Sequence, residues 1–334
     1  MRIIITGGGG FIGKKLAAEL LQRGSITGPD GAQQTIREIV LADIVTPQGL
    51  PEDHRLTLRV GDFSGANAVQ DLLHGGADLV FHLAAVVSGG AEEDFELGMN
   101  VNLQGSMHIL ETLRAQGNGP AGNTPKIVFA SSVAVYGGDL PDVITDDLIL
   151  NPQTSYGVQK AATELLINDY SRRSFVDGRA LRLPTIVVRP GKPNKALSSF
   201  CSSIIREPLQ GQDFVCPVGE GTEMWVLSPR QVVESFIHAA EMPATDWGYS
   251  RAVALPGITV SVNDILQTLR EIGGESVVNR IRFEADAKVE KVVYGWPRRF
   301  KPERGLALGF KPDQNLHEII KAFIDDELSG DFAH

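Results

Sequence analysis

Short apolar runs and longer amphipathic stretches alternate along the first half of this chain. Residues 2–6 (RIIIT), 38–43 (EIVLAD), 56–60, 78–83 (DLVFHL), 126–131 (KIVFAS) and 180–188 are apolar runs of strand length. Between them, residues 11–23, 66–73, 93–116 and 154–172 read as helices, the first closed by Gly24. Strands nearly continuous in apolar residues and separated by helices predict βαβ units and a mainly parallel sheet buried on both faces. The expected fold class is therefore α/β, a doubly wound parallel sheet. Its crossovers are right-handed, and its ligand lies outside the C-terminal strand ends. Residues 24–35 (GSITGPDGAQQT) are polar and marked by Gly and Pro, which predicts a surface insertion.

The texture changes after Arg189, where RPGKPNKALSSF is a Pro- and Gly-punctuated loop leading to shorter elements. Residues 315–327 read as an amphipathic helix, and 231–240 as a helix returning to the main domain. The expected organisation is a nucleotide-binding domain over 1–189, with 224–247 returning to it, and a smaller substrate lobe over 190–334. Composition narrows the partners. With 31 basic and 41 acidic residues the net charge is −10, which argues against nucleic acid and anionic membranes. The chain has 2 cysteines, Cys201 and Cys216. They make no disulfide framework, and no Cys/His cluster predicts a metal. No leader-like segment and no apolar run of the ~20 residues a membrane helix needs is visible, so a soluble, cytoplasmic protein is expected.

Candidate chemistry begins at TGGGGFIGKK. Gly8, Gly13 and Lys14 fit a mononucleotide P-loop as far as its lysine, but Lys15 stands where that loop needs a Ser or Thr hydroxyl. A dinucleotide turn fits better. Gly7 allows the tight turn, Gly10 lets a pyrophosphate approach the backbone, and Gly13 lets the helix pack on the strand. The helix N-terminus then offers free N–H groups and a partial positive charge. Asp43, closing the second strand, is placed to accept hydrogen bonds from both ribose hydroxyls. It follows Gly13 at a longer spacing than usual, which the polar insertion explains. A carboxylate there repels a 2′-phosphate, so NAD is expected over NADP. Gly8 and Gly9 have no evident purpose at this level.

Tyr156 and Lys160 form Y-x-x-x-K, and that spacing puts both on one face of the predicted helix. An ammonium beside a phenol favours phenolate and yields a general base near neutral pH. Ser131 and Ser132 follow the KIVFAS strand, at the end of the sheet where a ligand is expected.

Together these segments resemble the extended short-chain dehydrogenases/reductases, which carry T-G-x-x-G-F-I-G, here Thr6–Gly13. Gly61–Asp62 is similar to the family's adenine-binding G-D pair, His82–Ala85 (HLAA) to the cofactor-lining segment after the fourth strand, and Asn102 in NLQGS to the N-V-x-G-T motif. The resemblance implies a Rossmann-like sheet and NAD contacts from Phe11, Ile12, Asp62, Phe63, Leu83, Ala84 and Ala85, with Asn102, Ser131, Tyr156, Lys160 and Pro184 completing the site. It also implies that Ser132, the serine four before Tyr136-Gly137, binds the reacting oxygen while Tyr156 moves its proton and Lys160 holds the nicotinamide ribose. The implied reaction passes hydride between a substrate carbon and NAD. The paired helices 93–116 and 154–172 imply a homodimer.

Departures from the family's patterns narrow the reaction. Val133, Ala134 and Val135 occupy the place where sugar dehydratases carry acids. Arg182-Leu183-Pro184-Thr185 replaces the asparagine-bearing segment of nucleotide-sugar enzymes. In its stead, Arg189, Lys192, Asn194 and Lys195 crowd the following loop, with Ser198 and Ser199 behind. Cations and amide donors suit a small carboxylate. Ser88, Thr185, Lys192, Asn194 and Ser198 join Ser132 and Tyr156 as the expected substrate-binding set, whereas Arg230, Arg298 and Arg299 are expected on the surface. The loop and residues 294–313 resemble a subgroup that oxidises a four-carbon sugar acid at C2 with NAD. The expected partner is accordingly a small anionic polyhydroxy acid. A nucleotide-sugar C4 epimerase with retained NAD and a non-catalytic NAD-sensing regulator remain the alternatives.

Overall fold

A computed structural model describes residues 1–28, 31–191, 198–330 and 332, and divides them into two compact units. The first takes residues 1–135, 154–182 and 233–253; the second takes 136–153, 183–232 and 254–334. Residues 136–153, expected in the nucleotide domain, thus belong to the second unit. The segment that returns to the first is 233–253, later than the expected 224–247.

Seven strands build the first unit's sheet: β1 (Arg2–Thr6), β2 (Glu38–Asp43), β3 (Leu56–Val60), β4 (Leu79–His82), β5 (Lys126–Ser132), β6 (Asp177–Leu183) and β7 (Ala252–Ala254). Their order is β7-β6-β5-β4-β1-β2-β3, and β3, β2, β1, β4 and β5 run parallel. Helices cover the sheet, so Ile3, Ile4 and Ile5 are all fully buried and the strand reads as an unbroken apolar run. One core layer joins Ile4, Val40, Val80 and Ile127 with Leu110, Leu113 and Ile167. The last three come from helices α3 (Gly105–Gln116) and α4 (Ser155–Arg172), which follow α1 (Phe11–Arg23) and α2 (Ala66–Leu72). The strand order reverses between β1 and β4. A crevice at the C-terminal ends of these two strands is where such a sheet receives ligands.

Three local expectations change. Residues 24–35 are not a bare loop: Ser25–Thr27 pairs antiparallel with Gln33–Thr35, and Ile26, in the first of these strands, is buried. Strands this short carry too little alternation to stand out. The helix expected over 93–116 is broken into Phe95–Gly98, a π-helical turn Met99–Gln104, and α3; such a turn commonly marks a functional site. The run 180–188 splits at Pro184, which lacks the N–H needed to continue a ladder. β6 ends at Leu183. Thr185–Ile186 then pairs with Glu223–Leu227 in the second unit, and that strand pairs with Ile258–Ser261. The second unit has its own core, in which Phe200, Ile204, Ile265, Leu269, Ile320 and Phe323 pack with Met224 and Val226.

Candidate active site

The glycine turn leaves β1 at Gly7, whose φ of +70° suits glycine alone among ordinary residues. A Cβ on Gly7 would lie 2.7 Å from the Ala84 nitrogen, and one on Gly13 2.5 Å from the Gly7 carbonyl oxygen. The turn is thus packed directly on the Leu83–Ala84 backbone, and α1 directly on the turn. Gly8 now has a reason: its Cβ would meet Leu41 Cβ at 2.8 Å and the Ile5 carbonyl at 2.9 Å. Gly9 lies against Asp43 and donates its N–H to Asp43 Oδ2 at 2.8 Å. Gly10 is the least crowded of the five, with only the Gly7 oxygen at 3.2 Å from a Cβ position. Its lack of a side chain is of most use to a ligand.

These features fit a dinucleotide. No side chain caps the N-terminus of α1, so its first-turn N–H groups remain available to a pyrophosphate. Asp43 closes β2, held by Gly9 N–H and, at Oδ1, by Val45 N–H at 3.2 Å; each oxygen retains a lone pair for a ribose hydroxyl. Phe11 and the buried Ile12 open α1. Asp62 is exposed and turns the chain by accepting from Ser64 N–H, while Phe63 packs on the core layer.

Tyr156 and Lys160 lie on α4, whose first turn is capped by Thr154 accepting from Gly157 N–H at 3.0 Å. Lys160 Nζ sits 5.4 Å from the centre of the Tyr156 ring and 4.5 Å from that of Phe129, and donates to the Ala130 carbonyl at 2.7 Å. Burial pushes the Lys160 ammonium down to about 7, with Glu164 pulling it up. Ser132, half-buried, accepts from Ala134 N–H at 3.1 Å, which leaves its own hydroxyl hydrogen to donate elsewhere. Tyr156 is half-buried as well.

Two residues expected on the cofactor have side chains taken up by the protein. Ser131 is buried, and its hydroxyl donates to Glu164 Oε1 at 2.5 Å. Asn102 is buried in the π-helical turn. Its Oδ1 accepts from Val86 N–H, and its Nδ2 donates to the Val86 carbonyl at 3.0 Å and to Gln159 Oε1 at 2.7 Å. The carboxamide therefore clamps the segment after β4 onto the helix carrying Tyr156 and Lys160.

Several further groups support the site in roles the sequence does not assign. Glu164, buried one turn beyond Lys160, forms an ion pair with Arg182 at 2.8 Å. His82 bridges Thr6 Oγ1 (2.7 Å) and Ser106 Oγ (2.9 Å). Ser106 donates to the Asn102 carbonyl, which leaves His82 Nε2 as donor and Nδ1 as acceptor. Burial, and then the Lys160 charge, push His82 down to about 3, so the ring is neutral. The i, i+4 step from Lys160 to Glu164 was visible in the sequence; the partners of His82 lie in other elements and were not.

In the second unit, Pro184 is buried, Thr185 half-buried and in a strand, and Ser198 half-buried. Lys192, Asn194 and Lys195 lie outside the described residues. Arg189 turns inward, donating to the Ile186 carbonyl and to Ser198 Oγ at 3.2 Å. Arg299 pairs with both Asp142 and Glu223, Arg298 lies 3.7 Å from Asp142, and Arg230 pairs with Asp326. A cavity of about 280 Å³ lies among Thr222, Glu223, Tyr294 and Arg298. Ser88, in the first unit, begins the short helix Ser88–Glu93. Among the described residues no group of three or more His, Cys, Asp or Glu is arranged to hold a metal, and no helix is long and apolar enough to cross a membrane.

A phosphate cradle and a ribose acid at one end of a parallel sheet, with a tyrosine and a buried lysine on the helix after β5, define a nicotinamide-dependent enzyme of the short-chain type. The chain belongs to the NAD dependent epimerase/dehydratase family, whose model matches residues 3–248, and its cofactor is NAD. It is 50% identical over 326 residues to a D-erythronate dehydrogenase of Cupriavidus necator, with 98% of each chain covered. A D-erythronate dehydrogenase of Haemophilus influenzae is 42% identical over 330 residues, covering 98% of this chain and 100% of that one. Among solved structures, one described as a nucleoside-diphosphate-sugar epimerase from Agrobacterium tumefaciens superposes with a TM-score of 0.92 at 40% identity, covering 99% of this chain and 95% of that one.

Proposed function

We propose that this protein oxidises D-erythronate at C2 to the 2-oxo acid, with Tyr156 as the general base. The observation that carries the chemistry is the buried Lys160 ammonium, 5.4 Å from the Tyr156 ring centre on the same helix. The substrate is supported by the two full-length relatives named for that acid. Tyr156 takes the proton from the substrate hydroxyl, and Lys160 in its protonated form, out of water, favours the phenolate that must do so. Ser132 donates its free hydroxyl hydrogen to the reacting oxygen and holds it towards Tyr156. NAD, when bound, accepts the hydride from the same carbon. Gly10 and the N-terminus of α1 hold the pyrophosphate, and Asp43 holds the adenosine ribose and disfavours NADP. In the reverse direction Tyr156 returns the proton as an acid.

The carboxylate is assigned to donors in the second unit, Thr185 and Ser198 with Lys192 and Asn194. Exposed apolar side chains on the first unit, Phe95 and Leu97 on the helix Phe95–Gly98 and Val158 and Leu165 on α4, support a homodimer through the expected pair of helices 93–116 and 154–172, and the protein is taken as cytoplasmic. The rival reading, a nucleotide-sugar epimerase, has in its favour the likeness to the Agrobacterium structure described as a nucleoside-diphosphate-sugar epimerase. Against it stand Arg298 and Arg299, whose charges face Asp142 and Glu223 and leave little uncompensated positive potential for a diphosphate.

The test is direct. Purified protein with NAD is offered D-erythronate, L-threonate and UDP-galactose while NADH absorbance is followed. D-erythronate should give sustained NADH production, and Tyr156→Phe should abolish it while NAD still binds. Interconversion of UDP-galactose without NADH release, and silence with the acids, would establish the epimerase instead. Wild-type turnover in Tyr156→Phe would overturn the mechanism.

A further inference from the structure

Lys160 raises a physical problem. The side chain is 2% exposed, its ammonium donates to a backbone carbonyl, and the carboxylate one turn away, Glu164, is already held by Arg182. An ammonium so placed is expected to lose its proton. A neutral amine gives no electrostatic help to a phenolate.

An aromatic ring also faces the ammonium. Phe129 lies in the middle of β5, and Lys160 Nζ stands 4.5 Å from its centre, well within cation–π range. The ring is itself fixed. His82 is its register partner on β4 and stacks on it with centroids 5.5 Å apart and planes at 29°. His82 in turn is held at both nitrogens by Thr6 and Ser106. It stays neutral throughout the working range, so it adds no competing positive charge. The charged and titratable groups around the ammonium are therefore Tyr156 and Glu164 on α4, His82 on β4, and Arg182 on β6, which is taken up by Glu164.

We propose that Phe129, backed by His82, is a positioning residue that favours the protonated form of Lys160 and fixes it beside Tyr156. The inference rests on the proposed function only in giving that ammonium a task. The stack ties it to the cofactor turn as well, since Thr6 ends β1 directly before Gly7. A leucine at 129 would fill most of the same core volume and offer no quadrupole.

The test replaces Phe129 with mono-, di- and trifluorophenylalanine, which keep the ring's shape and withdraw its π density stepwise, and with leucine as a second variant. Two readouts are taken: titration of Lys160 in the NAD-free protein by NMR of isotope-labelled lysine, and the pH profile of kcat/KM. The Lys160 titration is expected to fall stepwise with fluorine content, by about one pH unit for the trifluoro ring. The basic form of Tyr156 should become harder to reach, so the acidic limb of kcat/KM should move to higher pH. A Lys160 titration that stays constant across a folded fluorinated series would overturn the proposal. So would a titration that falls while the pH profile of an active enzyme stays in place. Failure of the wild-type protein to oxidise any sugar acid would count against the proposed function alone, because the titration series decides the role of Phe129 without substrate.

Discussion

Replacing Lys160 with methionine should destroy activity and stabilise the apo-protein at the same time. Burial holds the ammonium at about 7 where an exposed lysine titrates near 10.5, a displacement that corresponds to about 5 kcal/mol at about 1.4 kcal/mol per unit. The side chain is fully enclosed, so solvent screening removes little of that. Methionine has similar length and no charge. It forfeits the hydrogen bond to Ala130 and the contact with Phe129, together about 2–3 kcal/mol, and a net gain of about 2 kcal/mol is expected below pH 7.

The sign follows from proton linkage. Below about pH 7 lysine is charged in the folded and unfolded chains alike, and the folded state carries the full cost of burying it. Between about 7 and 10.5 the unfolded chain binds a proton that the folded chain does not, so wild-type stability rises with pH across that window. Methionine at 160 has no such dependence. The advantage of Lys160→Met should thus be largest at about pH 6 and shrink towards about pH 10. Urea unfolding of both apo-proteins at the two pH values, compared by midpoint difference, measures it. A variant less stable than wild type at about pH 6, or a difference independent of pH, would refute the claim that Lys160 is a strained, buried charge. A group held at net cost to folding is best explained by what it does for the reaction.

Other perturbations separate the cradle's parts. Asp43→Asn keeps an acceptor for Gly9 N–H and removes the charge, so the NAD-over-NADP preference in kcat/KM should fall by roughly tenfold or more, about 1.4 kcal/mol. Gly8→Ala drives a methyl into Leu41 and the Ile5 carbonyl; thermal unfolding should register a loss of about 1–3 kcal/mol, and an unchanged midpoint would show that the turn yields. Asn102→Ala frees Val86 and Gln159 from their clamp. Turnover should fall at least tenfold with NAD affinity, read by fluorescence, little changed, since the residue acts on the Tyr156 helix.

The residues legible in the sequence are those whose role is set by their near neighbours along the chain. Gly7, Gly10 and Gly13 could be assigned because a strand precedes them and a helix follows, and Asp43 because it ends the next long apolar run. Tyr156 and Lys160 declare themselves by an interval of one helical turn. What stayed hidden depends on contacts between elements far apart in sequence. Gly8 has no role along the chain, but in the fold Leu41 lies against it. Ser131 reads as a ligand-facing hydroxyl because it ends a strand, but Glu164, more than thirty residues on, accepts its hydrogen bond inside the protein. Asn102 is legible by motif, yet a π-helical turn carries it to Val86 and Gln159 and gives it the work of a clamp. Pro184 reads by resemblance as a cofactor neighbour, while the effect of its missing N–H, which ends β6 and sends the chain into the other unit, shows only in the fold. The same distinction explains Lys160. Its spacing from Tyr156 announces a base, but the features that decide whether it carries a proton are the Phe129 ring, the neutral His82 and the Glu164–Arg182 pair. Those belong to three strands and a helix, and only the folded sheet brings them to one ammonium.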